Sequence, residues 1–220
     1  MSRPSLEAAA LAIGGVLFAG ADVLRRLVEP SDPTPASVVS AVTSHAGIWT
    51  GATLLSMIGC MLLAVGAMAI VRHATGRGRM LRLVGGAMMT AGALAGIAHA
   101  SGYFAAYGQW ARSGISAGTI KALDAGGEAG PVLLLSIGVF MIGMLLGPIV
   151  AAIGFRRGHL VPMWVPVAAI VFVVAGATGG LVAGLVGLIA AAAAFTGMAA
   201  RVRAEPAEGE LVAETVTSHP

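Results

Sequence analysis

The sequence predicts an all-α integral membrane protein, a six-transmembrane-helix bundle with both termini on the cytoplasmic side (N-in/C-in). Three observations carry that expectation. Of 220 residues, 57% are hydrophobic and 10% charged, where a soluble domain carries about 25% charged residues. The mean hydropathy is +0.90. The apolar residues also fall into runs near the ~20 that one helix needs to cross the hydrocarbon core, at about 6–28, 46–71, 83–107, 131–155, 160–177 and 180–200. These spans use most of the length, so residues 1–204 are expected to form one transmembrane domain with mostly short connections.

The first run is uninterrupted over 8–21 and reaches span length only by continuing through Asp22, until Pro30, Asp32, Pro33 and Pro35 end it. Ala19-Gly20-Ala21 resembles a signal-peptide cleavage site, but Arg3 against Glu7 makes a poor basic n-region, so the run reads as a retained span. The second run carries no charge, and the third is interrupted only by His99. Residues 108–130 form a long polar connection, in which Ile115, Ile120 and Leu123 predict a short surface helix covering one end of the bundle. Pro148 predicts a kink in the fourth span, and a turn at Thr178-Gly179 separates the fifth from the sixth. Residues 205–220 are acidic and lack aromatics, as a disordered cytoplasmic tail does.

Arginine placement sets the orientation. Arg3, Arg72, Arg77, Arg79, Arg82, Arg156, Arg157, Arg201 and Arg203 fall on one side, and Arg25, Arg26, Arg112 and Lys121 on the other. The richer side is cytoplasmic by the positive-inside rule. A strong preference for arginine over lysine suggests a GC-rich bacterial genome, so the expected location is a bacterial cytoplasmic membrane. The basic residues form short clusters without interleaved aromatics, which argues against nucleic acid as a partner. Cys60 is the single cysteine and lies within a span, which excludes an internal disulfide and a Cys-rich metal site. Small-xxx-small spacings at Gly92/Gly96, Gly143/Gly147 and Gly180/Gly184 predict close helix packing.

Ionisable residues inside spans are costly and mark functional candidates. Asp22, Arg25, Arg26 and Glu29 share one helix face near the outer end of the first span. His99, Tyr103 and Tyr107 share a face of the third. His45, Trp49 and Trp110 fall at the same level, beneath loops holding Asp32, Asp124 and Glu128. Together they suggest an outward-side pocket of apolar and aromatic walls with a few polar groups. The candidate catalytic residues are Asp22, His99 and Asp124. The candidate substrate-binding residues are Trp49, Tyr103, Phe104, Tyr107, Trp110, Arg26 and His45. A structural reading stands beside this one: aromatics collect at membrane interfaces, arginines snorkel to headgroups, and His99 packs as a core histidine.

In size, span number and its pairing of sparse carboxylates with aromatics, the chain resembles the small membrane-bound terpene cyclases of actinobacteria. That resemblance implies an intramembrane enzyme acting on a lipophilic, isoprenoid-type substrate by acid-initiated cyclisation or related acid–base chemistry, with no cofactor. A buried carboxylic acid can donate a proton, and aromatic faces stabilise cations. Aspartate-rich diphosphate-binding motifs are absent, as are HExxH and GxSxG motifs and a glycine-rich phosphate loop. Three alternatives remain: a small-solute transporter or binding protein, a b-type haem protein with His45 and His99 as axial ligands, and a non-catalytic accessory subunit. The expected partners are a lipophilic small molecule and membrane lipids.

Overall fold

The computed structural model describes residues 3–30, 33–128 and 130–204, apart from the side chain of Glu128. Asp32 and the tail 205–220 therefore lie outside the described residues, within which no strand occurs. In chain order the helices are α1 (Arg3–Val28), α2 (Pro35–Ser44), α3 (Ala46–Arg72), α4 (Arg79–Ala100), a π-helical turn (Ser101–Ala105), α5 (Ala106–Ser113), α6 (Ala117–Glu128), α7 (Pro131–Arg157), α8 (Trp164–Ala177) and α9 (Leu181–Ala204). Five helical segments are long and apolar enough to cross a bilayer: α1, α3, the continuous stretch Arg79–Ser113, α7 and α9.

Two segments depart from the sequence reading. The fifth span, expected at 160–177, becomes the 14-residue α8, because the chain turns at Pro162 and the helix begins only at Trp164. At about 1.5 Å per residue α8 is ~21 Å long, less than the ~30 Å hydrocarbon thickness. Conversely, the proline-rich segment after α1 forms α2. Thr34 caps that helix: its Oγ1 accepts from the Ser37 amide at 3.2 Å, and Ser37 Oγ accepts from the Thr34 amide at 2.8 Å. This reciprocal capping box, with Pro35 at the first helical position, is a helix-start signal present in the sequence. The expected surface helix between the third and fourth spans is α6, and α7 continues through Pro148.

Six helices close a ring in chain order, with α1 against α3, α3 against α4, α4 against α7, α7 against α8, α8 against α9 and α9 back against α1. Small residues permit the closest approaches. A Cβ on Gly14 would stand 2.7 Å from the Leu63 amide nitrogen, and one on Gly59 2.7 Å from that of Phe18, which runs α1 antiparallel to α3. Gly92 meets Gly143, and Gly85 meets Ala151, so α4 and α7 are antiparallel too. The side chains left outward are apolar: Leu54, Ile58, Met61 and Val65 on α3, Leu135, Ile142 and Leu146 on α7, and Val182 and Ile189 on α9. A glycine- and alanine-rich interior beneath an exterior of large aliphatics is the arrangement expected where hydrocarbon is the solvent. The fold is a multi-pass membrane-type helical bundle.

Candidate functional site

Inside the ring lies a cavity of about 330 Å³. Phe18, Phe140, Met144 and Phe172 contribute to its apolar wall, and the Phe18 and Phe140 rings meet edge-on at 5.9 Å. Its polar end is made by Asp22 and Arg25 from α1, His99 from α4 and Tyr103 from the π-turn, with Ser56 contributing from α3. Glycines set the shape where α9 passes: Gly184 and Gly187 line the cavity.

Asp22, Arg25 and Tyr103 belong to one connected array. Asp22 Oδ1 accepts from Arg25 Nη2 at 2.8 Å, and Asp22 Oδ2 accepts from Arg26 Nε at 2.6 Å. Arg25 also pairs with Glu29, whose other oxygen accepts from the Tyr103 hydroxyl at 2.9 Å. Spacings of three, four and seven residues put these groups on one face of α1, and the π-turn carries Tyr103 across to them. Both Asp22 oxygens are thus occupied by guanidinium donors. Asp22 fixes the position of Arg25 at the cavity wall.

His99 differs from its neighbours. Its ring is stacked between Tyr103, at 5.8 Å and 13°, and Phe140, at 5.0 Å and 20°. Its Nδ1 is buried and has no hydrogen-bond partner. A buried nitrogen left without a partner is costly, and this one belongs to a residue of the cavity wall.

The other candidates separate from the cavity. Arg26 turns to the α8–α9 connection, bonding the Thr178 carbonyl and, at 3.0 Å each, the carbonyls of Gly176 and Gly180. It reaches them through the space left by Gly184, where a Cβ would stand 2.7 Å from Arg26 Cδ. Trp49 is 2% exposed and donates from Nε1 to the Phe104 carbonyl at 2.7 Å, pinning the π-turn. Tyr107 donates to Asp124 at 2.7 Å, which fastens α6, and Trp110 packs on Tyr107 with ring centroids 4.8 Å apart. His45 is exposed at the α2–α3 junction with Nδ1 3.2 Å from the Ala41 carbonyl, so it does not share the cavity with His99. Of the ten candidate residues, Asp22, His99, Tyr103 and Phe104 line the cavity.

Sequence reasoning missed the phenylalanines contributed by α1, α7 and α8, which a hydropathy reading cannot distinguish from lipid-facing residues. It also missed a second polar cluster at the far end of α1. There Glu7 accepts from Arg72 at 2.6 Å and Arg3 at 3.1 Å and lies 3.3 Å from His73 Nε2. Glu7 and His73 are both buried, which ties the start of α1 to the end of α3. A carboxylate in the first turns of an apolar helix was the available signal. The chain matches no family model, no curated protein and no solved structure.

Proposed function

We propose that this protein holds a lipophilic small molecule with one oxygen-bearing end in the ring cavity and acts on it by acid–base chemistry at His99. The observation that carries this reading is the pairing of an apolar, aromatic-walled cavity with the buried, unpartnered Nδ1 of His99 in its wall. A substrate hydroxyl, epoxide or carbonyl satisfies that nitrogen while its hydrocarbon fills the space beside Phe18, Phe140 and Phe172. Arg25, held by Asp22 and Glu29, orients the polar end. Ring faces favour any positive charge that develops along the chain, which is the requirement of the cyclase-type chemistry suggested by the resemblance to membrane-bound terpene cyclases.

The same reading takes α8 as a sixth, short pass and puts both termini in the cytoplasm of a bacterium, with the polar array on the outer side. Antiparallel packing around the ring and the segregation of arginines support that orientation. The α7–α8 contact is the slightest in the ring, and Met141, Leu145, Val173 and Ala177 lie along it. A substrate dissolved in the bilayer enters there.

A carrier that binds without reacting is the second reading, favoured by the occupation of both Asp22 oxygens. Incubating purified protein with a neutral-lipid extract and following it by mass spectrometry separates the two. Catalysis predicts that one lipophile disappears as a new species forms, and that His99→Ala stops the conversion while the protein remains folded. Retention of a lipophile without conversion assigns the cavity to binding. Turnover undiminished in His99→Ala contradicts the proposal.

A further inference from the structure

At the end of the ring opposite Asp22 and His99, a groove of about 870 Å³ opens between the start of α4, the end of α7 and the start of α8. Arg77, Arg79, Arg156, Arg157 and His159 line it, and no carboxylate does. Among the described residues, no ion pair reaches any of these four arginines. The groove continues over Ile153, Met163, Val167 and Ile170, all exposed apolar side chains.

Backbone packing imposes this gathering of like charge. Gly78, at φ 84°, rests against the Gly154 carbonyl, and a Cβ on Gly158 would stand 2.7 Å from the Arg77 carbonyl. The 73–78 connection is thereby pressed onto the end of α7, bringing Arg77 and Arg79 beside Arg156 and Arg157. The end of α7 adds a second observation. The Leu160 amide bonds the Phe155 carbonyl at 3.0 Å and the His159 amide bonds that of Arg156 at 2.9 Å, a Schellman closure. Its left-handed position normally takes glycine, yet His159 occupies it at φ 57°. That conformation is costly for a side-chain-bearing residue, and here it sets an imidazole on the basic rim.

We propose that this groove binds an anionic phospholipid, its phosphate held by the four arginines and an acyl chain lying over Met163, Val167 and Ile170. Guanidinium forks match phosphate oxygens, and basic pockets between membrane helices take anionic headgroups. Continuity with the lipid-facing surface favours a lipid over the chain's own acidic segment, which carries Glu205, Glu208, Glu210 and Glu214. The site shares no residue with the cavity and is independent of the reaction proposed there.

The test uses the full-length chain in detergent with phosphatidylglycerol or phosphatidylcholine at equal mole fraction, counting retained lipid by native mass spectrometry. Phosphatidylglycerol is expected to be retained over phosphatidylcholine, and Arg79→Gln and Arg157→Gln are each expected to lower its affinity roughly fivefold. Melting in phosphatidylcholine should stay unchanged in both variants. Arg79→Lys and Arg157→Lys, which preserve charge and orientation, should lose less. Equal retention of the two lipids, or retention indifferent to both glutamine variants, overturns the proposal. So does a chain that retains phosphatidylglycerol only after Glu205, Glu208, Glu210 and Glu214 are changed to Gln, because the acidic segment then occupies the groove.

Discussion

Arg26, a substrate-binding candidate by its sequence, lies outside the cavity wall and joins α1 to the α8–α9 connection. Its guanidinium bonds the carbonyls of Gly176, in the last turn of α8, and of Gly180, just before α9, and it shares Asp22 with Arg25. Arg26→Gln should therefore destabilise the protein by about 2–3 kcal/mol, the scale of a hydrogen bond to a charged group, measured by denaturation in detergent micelles. Trp49→Phe removes one bond, to the Phe104 carbonyl, and should cost about 1 kcal/mol. Because that bond pins the π-turn, hydrogen exchange at 101–105 should accelerate in the same variant. Unchanged exchange there would show that the turn holds without it. The one-face spacing of Asp22, Arg25, Arg26 and Glu29 was legible in the sequence. Which of the two guanidiniums reaches the cavity was not, because it depends on Gly184 in a helix more than 150 residues away.

At the scale of elements, glycine contacts sort essential positions from permissive ones. A Cβ on Gly92 would stand 2.8 Å from Gly143, whereas one on Gly20 meets nothing within 4 Å. Gly92→Ala should cost about 1–3 kcal/mol through overpacking of α4 on α7. Gly20→Ala should stabilise α1 by about 0.5–1 kcal/mol, since a mid-helix glycine gives up that much relative to alanine. Equal melting temperatures for the two variants would contradict the helix pairing. The Tyr107–Asp124 bond ties α6 to α5: Tyr107→Phe removes it and should raise hydrogen exchange in α6 while leaving α1 and α9 unchanged. Long apolar runs were readable because bilayer thickness fixes their length. Hydropathy carries no sign of the break at Pro162, whereas the start of α2 is legible in the capping box Thr34-Pro35-Ala36-Ser37.

For the whole molecule, a ring of six helices encloses a cavity with apolar walls and one polar end. Sequence alone brought Asp22, His99 and Tyr103 to one level of the membrane, and the structure joins them in one wall. It could not reveal that Phe140 stacks on His99, because helix rotation is set by packing between segments distant in the chain. The segregation of arginines at the far end then supplies a second, separate surface for lipid. The most direct test of the central claim is mass spectrometry of neutral lipophiles co-purifying with the native chain, with Val173→Trp at the cavity wall and with Ile142→Trp on the outer surface of α7. A defined lipophile is expected on the native chain, retained by Ile142→Trp and lost from folded Val173→Trp. A lipophile profile identical in all three would contradict it.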